Sequence, residues 1–80
     1  MTIIWTKNAE ERQKEWEKRI GVTRQEVEDL AIYPVRIVPD DMDALVAQTK
    51  TRKGLLRCPF VEIEGKIKLL TVYDKRFKGG

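Results

Sequence analysis

LLRCPFVEIEGKIKLLTVY, Leu55 to Tyr73, decides how this chain folds. Two runs of strand-forming residues meet at Glu64-Gly65. In the second run Ile67, Leu69, Thr71 and Tyr73 alternate with Lys66, Lys68, Leu70 and Val72, the period-two spacing of a strand. The first run places Leu56, Cys58 and Phe60 on one face, but beyond Pro59 the apolar positions become Val61 and Ile63. A bulge or an edge position at Pro59 would account for that change of phase, because proline has no N–H to give to a ladder. Gly65 supplies the positive φ that a tight hairpin usually requires. The stretch therefore predicts an antiparallel hairpin, with Ile67, Leu69 and Val72 in the core.

Upstream, the spacing changes from two to nearly four. Ile3, Ile4 and Trp5 form a short apolar start that would either add an edge strand or pack under helices. Asn8 with Glu11 has the form of a capping box, and Ala9, Arg12, Trp16 and Arg19 or Ile20 then recur at helical spacing. Trp16 reads as core, and Gly21 ends the helix. Thr23 and Glu26 fit a reciprocal capping box while Val22 and Val27 fit a hydrophobic staple. The second helix begins near Arg24, turns Val27, Leu30 and Ala31 inward and stops at Pro34, because proline drives the residue before it out of helical geometry. Tyr33 is expected to pack at that corner. Val35 to Val38 reads as a strand, Pro39-Asp40-Asp41 as a turn, Ala44 to Lys50 as a strand, and Thr51 to Gly54 as a basic turn. The whole is an α+β pattern, two N-terminal helices packed on a four-stranded antiparallel sheet, with room for a short N-terminal edge strand.

Eighty residues suit one small domain. With one cysteine, Cys58, and no histidine, the chain builds neither an internal disulfide nor a standard Cys/His zinc site. No run approaches the roughly 20 apolar residues of a membrane span, and the N-terminus lacks the order of a signal peptide, so a cytoplasmic location without membrane association is expected. The net charge of +3 is unevenly spread. Met1 to Thr49 holds 7 lysines and arginines against 10 carboxylates, a net −3, while Lys50 to Gly80 holds 9 against 3, a net +6. That polarity points to an anionic partner for the C-terminal half, set against the plainer reading of a solvated sheet face and a basic tail.

No Gly-rich phosphate loop, nucleophile-base arrangement or set of spaced metal ligands is present, and no cofactor is expected. Asp40, Asp41 and Asp43 lack the spacing of a calcium loop and read as turn residues. The succession NAEER, RIGVTRQEVEDL, YPVRIVPDD and LLTVYDKR nevertheless resembles a family of small bacterial domains of unknown function. That family's pattern runs from a helix opening on His-Ala, through a second helix, to a last strand similar to VVTVY.

The resemblance implies the fold of small ribonuclease toxins of the barnase, EndoU, colicin and RelE grouping. It implies in turn a metal-independent attack of a ribose 2′-hydroxyl on its neighbouring phosphate, which needs a base, an acid and a cation. This chain departs from the pattern at Asn8, where the family carries histidine, and asparagine transfers no proton near neutral pH. Activity is then either lost or carried as in RelE-like toxins by Arg, Lys and Tyr near the sheet and C-terminus. The candidates for catalysis are Arg57, Tyr73 and Arg76; those for nucleic-acid binding are Arg52, Lys53, Arg57, Lys75 and Arg76. Two functions are expected on these grounds: RNA binding with possible cleavage, or a non-catalytic interaction domain, either of which could pair with a cognate antitoxin-like protein.

Overall fold

A computed structural model describes residues 2–40, 44–50 and 54–76, with Arg76 described by its backbone alone. The chain runs β1 (Thr2–Trp5), α1 (Lys7–Ile20), α2 (Arg24–Ile32), β2 (Arg36–Pro39), β3 (Leu45–Lys50), β4 (Gly54–Ile63), β5 (Lys66–Leu69) and β6 (Tyr73–Arg76). Among the described residues the six strands form one sheet, ordered β1-β5-β4-β3-β2 with β6 also on β4. The α+β class and the two helices agree with the sequence. The sheet is larger than the four antiparallel strands expected, and it is mixed, because the apolar start is an edge strand running parallel to β5. Asp41 and Asp43, with Arg52 and Lys53 of the expected basic turn, lie outside the described residues.

Both helices begin on a threonine. Thr6, in extended backbone, accepts from the Ala9 amide and caps α1. Asn8 is therefore inside the helix rather than at its cap, and its side-chain amide reaches across to the Leu70 carbonyl at 3.2 Å. The buried stripe of α1 runs through Ala9 and Gln13, with Trp16 and Ile20 packed against the core; Arg12 is exposed, contrary to the expected stripe. Gln13 holds its buried place by donating to the Val22 carbonyl at 3.0 Å. Gly21 closes α1 in the left-handed conformation, φ 76°. Thr23 and Glu26 make both bonds of the capping box of α2, and Val22 and Val27 are buried in one cluster. Tyr33 caps the end of α2 but does not pack at the corner, since it is 78% exposed.

The strand β4 is the spine of the sheet. Its ten residues pair with β3 without a break, Leu45 opposite Phe60 through Lys50 opposite Leu55. Its other side is shared by β5 and β6 in succession, Phe60 opposite Leu69 and Arg57 opposite Tyr73. Between those two pairs, Cys58 and Pro59 face the three residues Leu70, Thr71 and Val72. The extra residue is a bulge in the second run of the hairpin, not in the first. Pro59 is neither bulged nor at an edge. The Leu70 amide donates to its carbonyl at 2.9 Å, so the N–H that Pro59 lacks would have pointed to the same side. The irregularity opposite it is where the missing donor is tolerated.

The bulge also resets the alternation, which is how Val72 joins Ile67 and Leu69 in the core. Leu56, Cys58 and Phe60 keep one phase and share a buried cluster with Ala9, Val27, Leu30 and Ala31 from the helices and Val22 from the turn between them. Val61 and Ile63 are not a continuation of that core. They belong to the opposite face, where Ile63 is 47% exposed.

A candidate nucleic-acid interface on the open sheet face

Alternation and register together assign every strand residue to one of two faces. Ile3, Trp5, Leu45, Ala47, Leu56, Cys58, Phe60, Ile67, Leu69 and Val72 mark the face covered by helices. The other face is open. It carries Arg36 on β2, Lys50 on β3, Arg57 on β4, Lys66 and Lys68 on β5, and Lys75 on β6. The two carboxylates within the described strands, Glu62 and Asp74, are in register with Ile67 and Leu56 and so belong to the covered side. Among the described strand residues this face holds six cations and no carboxylate, which makes it an anion-attracting surface.

At its centre, one row crosses four strands: Arg36 opposite Gln48, Gln48 opposite Arg57, Arg57 opposite Tyr73. With neighbouring strands about 4.8 Å apart, the row spans roughly 14 Å. Two residues along, about 7 Å away, the next row holds Lys50, Leu55 and Lys75. The Arg57 guanidinium carbon lies 5.4 Å from the centroid of the Tyr73 ring, a cation–π contact across the strands. The Arg57 Nε is shut from solvent and has no hydrogen-bond partner. Guanidinium groups suit phosphate oxygens because they are planar and always charged, so they stabilise charge and do not carry protons. Tyr73 is the side chain in the row whose hydroxyl can give or take one.

Toward the other end of the face, charge and apolar surface interleave. Ile4, Lys68 and Val61 form one row, and Thr2, Lys66 and Ile63 the next. Val46 and Pro59 also belong to this face, yet both are buried, Val46 at 1% exposure.

Of the candidates read from sequence, Arg57 and Tyr73 are brought into contact, and Lys75 stands exposed on the same face. Arg76 pairs by its backbone with Gly54, one residue out of step with Tyr73 and Lys75. Arg52 and Lys53 lie outside the described residues. Arg36 and Gln48 escaped the reading of charge by halves, although period-two alternation through Arg36-Ile37-Val38 and Val46-Ala47-Gln48 would have placed them opposite the core; Lys50 belongs to the basic half but is not among the candidates. Asn8 belongs with α1 on the covered side, where it holds the bulge rather than joining the Arg57–Tyr73 row.

Cys58 is buried at the floor of the core, and loss of solvent pushes its thiol up to about 12, far from the range of a nucleophilic cysteine. Among the described residues no group of three or more His, Cys, Asp or Glu side chains is placed to hold a metal ion. No helix among them is long and apolar enough to cross a membrane. Comparison with models of protein families, with curated protein sequences and with solved structures gave no match. The resemblance to the small bacterial domains and to ribonuclease toxins thus rests on the quoted motifs.

Proposed function

We propose that the open face of the sheet binds RNA through its phosphate backbone. The observation that carries the reading is the concentration of Arg36, Lys50, Arg57, Lys66, Lys68 and Lys75 on one face, with no carboxylate on that face among the described strand residues. Phosphate contacts of this kind release condensed counterions, so affinity must fall steeply with salt. The narrower form of the reading is metal-independent cleavage, in which Arg57 stabilises the phosphorane charge and Tyr73 moves a proton. Its support is the contact between those two side chains and the resemblance to toxin folds.

Fluorescence anisotropy with a labelled oligoribonucleotide between 50 and 200 mM salt tests the binding. Arg57→Glu with Lys75→Glu should weaken it and flatten the salt slope by about two contacts' worth, while Lys14→Glu with Lys18→Glu on α1 should leave it unchanged. Binding insensitive to salt, or unaltered in the first pair, would remove the RNA reading. Incubation of the same RNA in EDTA tests cleavage, which should require the ribose 2′-hydroxyl and be lost in Tyr73→Phe with binding kept.

A second reading, a non-catalytic protein-interaction domain, has its own support. Ile32, Tyr33, Val35 and Ile37 are 39, 78, 78 and 47% exposed along the corner that leads into β2, an outer strand of the sheet. An apolar run of that kind beside a strand with no second neighbour among the described residues suits a partner protein. Loss of partner capture on Tyr33→Ser with Val35→Ser, with RNA affinity unchanged, would favour it.

A further inference from the structure

We infer that the open face takes single-stranded RNA with bases against the sheet and phosphates over the surrounding cations, one base stacking on Tyr73 in the place that the Arg57 guanidinium occupies in the free protein. This rests on the RNA reading above and adds the strandedness of the ligand and the way it lies.

The face is not simply basic. Ile4 and Ile63 are 38 and 47% exposed, and Val38, Leu55 and Val61 are half-buried, all of them interleaved with the lysines and arginines. A duplex offers that surface phosphates and sugars, and its bases stay stacked inside. An unpaired strand can turn its bases onto apolar and aromatic side chains while its backbone follows the charges. The interleaving of apolar and cationic positions across the rows Ile4–Lys68–Val61 and Thr2–Lys66–Ile63 matches the second ligand and wastes apolar surface on the first.

Arg57 and Tyr73 supply the mechanism. The guanidinium covers a face of the ring, and its Nε–H has no acceptor while shut from solvent. A buried donor left unpaired is costly. If the guanidinium turns out to a phosphate, the Nε–H and a neighbouring N–H gain two oxygens in one planar contact, and the ring is uncovered in the same movement. A base, whose flat π-face is common to every nucleotide, then replaces the cation on the ring. Phosphate capture and base stacking are thereby one event, available to a strand with a free base and not to a phosphate chain alone.

The test uses the full chain and three ligands by anisotropy or competition at 150 mM KCl: a 12-nucleotide RNA without self-complementarity, the same RNA in a blunt duplex, and inorganic polyphosphate. The single strand should bind at least about tenfold more tightly than the duplex. Tyr73→Leu should weaken the single strand by roughly 5- to 100-fold, the range for loss of one stacked base, with the duplex and the salt slope unaffected. Ile63→Ser, at an exposed position away from the core, should weaken the single strand alone and serves if Tyr73→Leu does not fold. In the ¹H–¹⁵N spectrum the Nε–H resonance of Arg57, assigned by its loss in Arg57→Lys, should shift with the single strand. Equal affinity for duplex and single strand, polyphosphate competing as well as RNA, or unchanged single-strand binding in both variants would overturn the inference while leaving phosphate binding in place. Failure of all three ligands to bind in a salt-dependent way would remove the RNA reading itself.

Discussion

Replacing Thr6 by valine removes one oxygen and keeps the shape, and that oxygen has two jobs. It accepts from the Ala9 amide at 3.2 Å as the cap of α1, and its hydroxyl donates to the Leu69 carbonyl at 2.7 Å. Loss of the cap costs about 1 kcal/mol. Loss of a part-buried hydroxyl-to-carbonyl bond costs about 1 kcal/mol more, because the carbonyl stays behind without that donor. Thr6→Val should therefore lower stability by about 2 kcal/mol. That is a large share of the roughly 4 to 12 kcal/mol available to a chain of this size, and it corresponds to a fall in Tm of about 8 to 16 °C. Thr6→Ser keeps both bonds and should stay within about 0.5 kcal/mol of the parent, the scatter of a neutral change. Asn8→Ala loses one exposed bond to Leu70 and should cost about 0.5 kcal/mol, at the low end for a hydrogen bond. Urea unfolding followed by the fluorescence of Trp5 and Trp16 measures all three. If Asn8→Ala costs more than Thr6→Val, the cap belongs to Asn8, as the Asn8…Glu11 pattern in the sequence suggested, and the account of the junction is wrong.

Leu69 is 0% exposed, so Leu69→Ala should cost about 2 to 5 kcal/mol. Ile63→Ala, half exposed on the other face, should change stability by about 0.5 kcal/mol or less; a chemical denaturation series in which the two are equal would refute the division into faces. Cys58 should resist iodoacetamide at pH 8 until urea unfolds the chain, since its folded thiol titrates at about 12 against a usual 9.0. The folded state then holds a proton that the unfolded state gives up, so this contribution is intact below pH 9 and is lost as pH rises toward 12, at up to about 1.4 kcal/mol per pH unit. Alkaline titration of stability should be shallower in Cys58→Ala, and identical slopes would show that the thiol is not desolvated.

What the sequence disclosed best was local. The capping box at Thr23 and Glu26, the stop before Pro34 and the hairpin turn at Gly65 each depend on a few adjacent residues, and each is found where the pattern placed it. What escaped it depends on strands meeting across the sheet. The bulge at Leu70 to Val72 shows only when β5 and β6 are laid against β4; read alone, the run places Val72 opposite Ile67 and Leu69, though the three share a core. The phase change attributed to Pro59 is no change of phase, since β4 alternates regularly and Val61 and Ile63 are apolar residues of the open face. Thr6 was passed over because Asn8 offered a cap two residues later, and nothing local says that its amide is drawn off to Leu70. The charge tally by halves found Arg57 and Lys75, and the resemblance to toxins added Tyr73, but the tally separated them from Arg36 and left out the uncharged Gln48. Register joins what that boundary divided.

The pairing of β1 with β5 sets Thr2 beside Lys66, 64 residues further along the chain. Such a contact pays a large loop-closure cost before it returns anything, which slows folding and makes it a late step. On a ribosome adding about 5 to 20 residues per second, Ile3, Ile4 and Trp5 emerge roughly 3 to 13 seconds before their partner strand is made. In that interval an apolar strand has no sheet to join. The order of synthesis thus leaves β1 without its partner strand until β5, the second arm of the hairpin that decides the fold, has been made.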